Sequence, residues 1–166
     1  MQKHGIYFAN NSFYQLMRDL GGEWADQKER PFICLSIPNE PPDLFWAIPL
    51  GSVNHRNKQA LSRIDQYLNY ESSDIRSCFY HLGKTDVKSI FFISDAFPIT
   101  PTYVKKEYLN RYTHHPHIIK NHTLLSDLER KLRRILYWEN KHPNYFRQHI
   151  SSLKNYLLNE LKENNV

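Results

Sequence analysis

The chain has 166 residues, 40% hydrophobic and 23% charged, a balance that supports one domain with a real core and excludes wholesale disorder. A formal charge of +5 and a 14% aromatic share favour a polyanion whose bases can stack on exposed rings, and nucleic acid is the commonest such partner. No stretch approaches the roughly 18 apolar residues that span a bilayer, and the N-terminal "MQKHGIYFANN" lacks the apolar segment of a signal peptide, so the expected location is cytoplasmic with no membrane partner.

In chain order, "GIYFANNSFYQLMRDLGG" predicts a short strand, then a helix beginning near Asn11 and stopped by Gly21 and Gly22. A strand over 32–37 and a second in "LFWAIPLGS", separated by a proline-rich turn, are expected to pair antiparallel. From Asn57 the period changes: Ala60, Leu61, Ile64, Tyr67 and Leu68 share one helical face. "DIRSCFYHL" alternates as a strand, "GKTD" is a polar turn, and "VKSIFFISDAFPIT" reads as a near-continuous apolar strand. Thr102 is positioned to cap a helix through Asn110, and 112–121, "YTHHPHIIKN", reads as a surface linker.

In "HTLLSDLERKLRRILYWEN", Leu125, Leu128, Leu132, Ile135 and Leu136 form one stripe, with Arg130, Arg133 and Arg134 opposite. A last helix follows Pro143, with Phe146, Ile150, Leu153, Leu157 and Leu161 inward. Strands first and helices later predict an α+β fold, one domain over 1–166 that is strand-rich over 1–101 and helical over 102–166. Cys34 and Cys78 sit in apolar or strand-like runs and are expected as buried thiols rather than a disulfide.

Several chemistries lack their residues. His114, His115 and His117 lie close together, but their spacing fits no helical pair or finger, and no nearby cysteine or carboxylate completes a ligand set. No metal and no cofactor is therefore expected, and a metal-dependent hydrolase on these three histidines is a distant alternative. "LGSVN" is not a nucleophile elbow, and five glycines without a G-K-[ST] run give no phosphate-binding loop.

RNA cleavage without a metal asks for less. The substrate's own 2′-hydroxyl is the nucleophile, so the protein must move protons and stabilise a crowded phosphorane. The corner "GSVNHR" offers an imidazole at His55, a two-pronged guanidinium at Arg56 and orienting groups at Ser52 and Asn54. Gly51 permits close backbone approach. By itself this corner reads first as a polar strand-to-helix connection with Ser52 or Asn54 as a cap. Two further stretches weigh against that reading alone. "YVKKEYLNRY" mixes Tyr103, Tyr108 and Tyr112 with Lys105, Lys106 and Arg111, and "ERKLRR" adds Arg130, Lys131, Arg133 and Arg134. Such cations bind phosphates and such rings stack on unpaired bases.

The order and spacing of "RPFICLSI", "LFWAIPLGSVNHR" and "VKSIFFISDAFPIT" resemble the ToxN/AbiQ superfamily of type III toxin–antitoxin endoribonucleases. Arg30 matches the basic residue before the family's first strand. Ala47, Pro49 and Leu50 match the approach to the second, with Ile48 inserted, and Ser52 matches the active-site serine. The I-P-L-G-x-x-x-H-R corner, "SCFYH", "KSIFFISD" and the tail "LERKLRRILYWENKHPNYFRQHISSLK" are most similar to the CptN and TenpN branches, over residues 28–160. Two family positions differ: Asn54 stands for a lysine and Gly51 for a threonine or serine.

The resemblance implies a strongly curved antiparallel sheet of the MazF/PemK type with packed helices. It implies a metal-independent endoribonuclease leaving 2′,3′-cyclic phosphate and 5′-hydroxyl ends. Its partners would be cellular RNA and a short, pseudoknotted repeat antitoxin RNA that it processes and that holds it in a closed protein–RNA ring. The expected catalytic set is Arg30, Ser52, His55 and Arg56. Gly51, Asn54, Lys58, His81, Lys84, Lys105, Lys106, Arg130, Arg133 and Arg134 are expected to bind RNA, with His81 or Lys84 supporting the charge that the missing lysine would have carried. A non-catalytic RNA-binding protein of the same fold is the alternative.

Overall fold

The computed structural model describes residues 1–24 and 29–166; residues 25–28, where the resembling stretch begins, lie outside the described residues. Seven strands form one antiparallel sheet: β1 (Ile6–Ala9), β2 (Phe32–Leu35), β3 (Phe45–Ser52), β4 (Tyr80–Lys84), β5 (Lys88–Phe92), β6 (Phe97–Ile99) and β7 (Val104–Glu107). Their order is β4-β5-β3-β2-β1-β7, and β6 also pairs with β3. Among the described residues β4 and β7 are free edges that do not pair with each other, so the sheet is open. Four helices accompany it: α1 (Asn11–Asp19), α2 (Lys58–Leu68), α3 (His122–Lys141) and α4 (Ile150–Asn164). The fold is α+β, and among the described residues no helix is long and apolar enough to cross a membrane.

Local chemistry sets most helix ends. The Asn10 side chain accepts the Phe13 N–H at 3.0 Å and starts α1. Gly21, at φ +91, stops it, with Gly21 N–H donating to Arg18 O and Gly22 N–H to Met17 O. Asn57 caps α2 through the Ala60 N–H at 2.8 Å, and Asn121 caps α3 through the Leu124 N–H at 3.1 Å.

Strand β3 organises the sheet. On one side Phe32, Ile33, Cys34 and Leu35 of β2 oppose Pro49, Ile48, Ala47 and Trp46. On the other, Phe45, Trp46 and Ala47 pair with β6 while Leu50, Gly51 and Ser52 pair with β5. Leu50 N–H donates toward Pro31 O at 2.9 Å, so the donor that Pro49 lacks would have pointed the other way, into the gap between β6 and β5. A proline is tolerated in this central strand because no partner there needs its N–H.

Both faces of the sheet are covered. One core cluster joins Ile33, Ile48, Leu50 and Phe91 to Leu125, Leu128, Leu132 and Ile135 of α3. The other joins Phe32, Cys34, Ala47 and Phe97 to Phe13 and Met17 of α1 and to Leu153 and Leu157 of α4. Successive residues of β2 alternate between the two clusters, so all four are buried. A smaller patch sets Ile64 of α2 on Ile90 and Phe92 of β5. Cys34 and Cys78 are free and buried, and burial pushes the Cys34 thiol up to about 12.

Three expectations need correction. Residues 102–110 do not form a helix: a 3-10 turn over Pro101–Tyr103 leads into β7, which pairs with β1, and Asn110 lies in the following loop. The helical part thus begins at α3, after the last strand. "DIRSCFYHL" is a strand only from Tyr80, because Asp74 accepts the Arg76 N–H at 2.9 Å and winds Ile75–Cys78 into a 3-10 turn. "VKSIFFISDAFPIT" is two strands split by a 3-10 turn over Ile93–Asp95. The buried Gln148 amide secures that break by donating to Ser94 O at 2.8 Å and Ala96 O at 2.7 Å.

Candidate functional site

Where β3 leaves β2 and joins β5, the sheet opens into a cleft of about 310 Å³. One wall carries Glu29, Arg30, Gly51, Ser52, His55 and Arg56, the other Thr85, Asp86, Tyr108 and Arg111, and Ser89, the cross-strand partner of Ser52, lies between them. All four residues expected to be catalytic, and Gly51, therefore converge here.

The first wall is built by the end of β3. Ser52 accepts the Asn54 N–H at 3.2 Å and caps a 3-10 turn over Val53–His55, which carries His55 at its end. The capping role and the cleft role coincide in one residue: the oxygen accepts, and the hydroxyl proton is left to donate. His55 is exposed, and its ring makes no hydrogen bond with the described residues. Asn54 is exposed and does not line the cleft.

Two guanidinium groups share one ring. Arg30 and Arg56 each lie with Cζ 4.9 Å from the Phe92 ring centroid. Arg56 also lies over Gly51, where a Cβ would stand 2.7 Å from Nη2. Among the described residues neither arginine has an ion pair with a carboxylate, and the Arg56 Nε–H is buried without a partner. Burial, and then the like charge of Arg30, pull the Arg56 guanidinium below its ordinary value, against a smaller opposing effect of Tyr80. Two neighbouring cations on one aromatic ring, neither paired with a carboxylate among the described residues, have the chemistry to bind an anion.

The second wall is a hydrogen-bonded network around Asp86, whose side chain is 1% exposed. Its carboxylate accepts from Tyr108 Oη at 2.9 Å, Arg111 N at 3.0 Å and Thr85 Oγ1 at 3.2 Å, with Arg111 Nε at 3.5 Å. Thr85 Oγ1 and Ser89 Oγ lie 3.0 Å apart. Burial pushes the Asp86 carboxyl up, but these donors and the Arg111 charge outweigh it and hold the carboxyl below its ordinary value. Burial likewise raises the Tyr108 hydroxyl, with the carboxylate of Asp86 adding to the rise. Asp86 thus fixes Tyr108 and Arg111 in the cleft that the arginine pair also lines.

Sequence reasoning missed Thr85, Asp86, Ser89 and Phe92. Tyr108 and Arg111 stand in the basic, aromatic stretch, Tyr108 within the helix expected through Asn110 and Arg111 just beyond it. No local signal singles the missed residues out, because an Asp in a polar turn such as "GKTD" is ordinarily solvated.

The remaining expected RNA-binding residues are dispersed. His81 lies on β4, 3.8 Å from Asp127, and burial, then Lys131, lower its imidazole value against the raising effect of Asp127. Lys84 is exposed beside Leu82, Gly83 and Lys88. Neither lines the cleft, because His81 faces α3 and Lys84 stands with Leu82 on the other face of β4, so the support expected from them for the arginine pair is not supplied. Lys58 opens α2 and is exposed. Lys105 and Lys106 do not line the cleft but both pair with Glu29, which does. Arg130 pairs with Asp127 at 3.5 Å, Arg134 donates to the carbonyls of Ser72 and Ser73, and Arg133 is exposed, all on α3. His114 and His115 are exposed in their loop, while His117 Nδ1 lies 3.0 Å from the Asn110 amide. Among the described residues no three His, Cys, Asp or Glu side chains come together as metal ligands.

The sequence matches no family model and no curated protein.

Proposed function

We propose that the protein is a metal-independent endoribonuclease, the toxin of a type III toxin–antitoxin pair. One observation carries the reading: Arg30, Ser52, His55 and Arg56, separated by up to 26 positions in the chain, line a single open cleft in which neither arginine is paired with a carboxylate among the described residues, the cleft's own Glu29 and Asp86 being held by other cations. A phosphodiester fits that wall. Arg30 and Arg56 take its non-bridging oxygens, and the free Ser52 proton orients it. His55 accepts the 2′-hydroxyl proton as the oxygen attacks phosphorus. The 5′-oxygen departs, taking a proton from solvent at the open mouth, and leaves a 2′,3′-cyclic phosphate. The resemblance to ToxN/AbiQ toxins, the positive charge and the seven-stranded antiparallel sheet all support this reading. A curved sheet of the MazF/PemK kind, a repeat antitoxin RNA, a closed protein–RNA ring and a cytoplasmic location belong to the same proposal.

The test is incubation of purified protein with total cellular RNA in excess EDTA, followed by end-group analysis. Cyclic-phosphate and 5′-hydroxyl ends are expected from the parent protein. Loss of cleavage and of growth inhibition is expected from His55→Ala and Ser52→Ala. If both variants stay as toxic as the parent, the site is wrong.

A second reading, RNA binding without cleavage, is favoured by Asn54, which stands where the resembling family has a lysine and lies exposed outside the cleft. Tight RNA binding with no new ends in the same experiment would establish it.

A further inference from the structure

A second hollow, of about 400 Å³, shares no lining residue with the cleft and lies against the C-terminal half of α3. That volume falls within the range of small-molecule sites. Its floor includes Ile75 and Trp138, and its rim carries Arg133, Arg134, Tyr137 and Lys141. Arg133, Tyr137 and Lys141 follow one another at four-residue spacing, so they form a single stripe along the helix. Tyr137 is 62% exposed, and the Lys141 ammonium stands 4.5 Å from its ring centroid.

The fold does not consume these groups. Arg134 is engaged by the carbonyls of Ser72 and Ser73, but Arg133 and Lys141 have no ion pair with the described residues. The Trp138 Nε1–H is buried without an acceptor. Tyr145, 55% exposed, meets Trp138 edge-on at 5.7 Å and extends the aromatic surface. A helix dipole accounts for one cation in the last turn. It does not account for an exposed ring bracketed by two cations beside a hollow.

We infer that this surface is a second RNA subsite, at which an unpaired base stacks on Tyr137 while Arg133 and Lys141 hold the adjoining phosphates. An exposed ring flanked by unpaired cations suits single-stranded nucleic acid, whose bases are splayed and whose backbone is anionic at every step. The subsite rests on the reading of the cleft as an RNA site only in the choice of ligand, because the two are separate in space. Leu124, near the start of α3, packs on Gly83, which pairs with Ser89 of the cleft. Tyr137 is 13 residues further along, roughly 20 Å at the helical rise. A trinucleotide seated in the cleft therefore does not reach Tyr137, whereas a strand of some twenty nucleotides does.

The experiment is fluorescence anisotropy in EDTA with labelled oligouridylates, about 3 and about 20 nucleotides long, and a duplex RNA of about 20 base pairs. The probe lengths follow from that roughly 20 Å separation. Tyr137→Ala should weaken the long single strand about tenfold or more, within the range for losing one stacked base. It should leave the trinucleotide and the duplex unchanged. Tyr137→Phe, which keeps the ring, should bind as the parent does. The inference is overturned if Tyr137→Ala binds the long strand within twofold of the parent, if Tyr137→Phe loses as much as Tyr137→Ala, or if the duplex is weakened equally. Tyr137 is exposed enough that both variants should melt with the parent, and a lowered melting temperature matching the affinity loss would also count against it. A separate failure, in which Arg56→Ala leaves trinucleotide binding intact, would refute the cleft and not the α3 subsite.

Discussion

Replacing Gly51 with alanine should disable the cleft while sparing the fold. The new methyl group would lie 2.7 Å from Nη2 of Arg56 and 3.6 Å from the Phe92 ring. Ordinary heavy-atom contact is about 3.5–4.0 Å, so the guanidinium, at the end of a flexible side chain, must retreat by roughly 1 Å from its place between Gly51 and the ring. Gly51 has no positive φ, so alanine is unstrained in β3 and the melting temperature should stay within about 3 °C of the parent. A charge-assisted contact to phosphate contributes about 1.5–3 kcal/mol, which is about 10- to 150-fold in affinity for a short RNA. The assay is a double-mutant cycle on trinucleotide binding in EDTA. Gly51→Ala and Arg56→Ala should each cost that amount, and the double variant should cost little more than either, because both remove one interaction. If Gly51→Ala still costs tenfold in the Arg56→Ala background, the methyl group acts through something other than Arg56.

Asp86→Ala should be the most destabilising change in the second wall. It orphans the Arg111 N–H and frees Tyr108, so a loss of about 3 kcal/mol and a fall of roughly 6–12 °C in melting temperature are expected from thermal unfolding. The pH dependence has a definite sign. The Asp86 carboxyl is held below its ordinary value, so its contribution is fully present above about pH 4 and fades as pH falls through the lower folded value. The stability gap between parent and Asp86→Asn should therefore narrow below about pH 4; a gap that widens there would contradict the network. Arg30→Ala should reduce the slope of log affinity against log salt for single-stranded RNA by about 0.7, the share of one phosphate contact. Leu128, fully buried between α3 and the sheet, should cost about 2–5 kcal/mol as alanine in denaturant unfolding.

Several elements were legible along the chain because the physics that makes them is local. The Asn10 cap and the Gly21 stop bound α1 within a few residues of the predicted helix. The stripe of Leu125, Leu128, Leu132 and Ile135 lies in the core as its period required. The antiparallel pairing of β2 with β3 followed from two apolar runs and a proline-rich turn. Residues 102–110 failed for the complementary reason. Tyr103, Lys105 and Lys106 suit a helix as well as an edge strand, and only the vacant edge of β1 decided between them. The break between β5 and β6 was hidden because both pair with the same strand and both are apolar.

Composition, caps and periodicity determined that this is an α+β chain with a basic, ring-bearing surface, and the corner from Gly51 to Arg56 marked one wall of its cleft. Only the tertiary structure decided what stands opposite. Asp86 comes from the β4–β5 hairpin turn, Tyr108 and Arg111 from the loop after β7, and Phe92 from the end of β5. Their meeting depends on sheet order and register, which are set by contacts between residues distant in the chain. The pattern of neighbours that fixes a helix carries little information about such contacts.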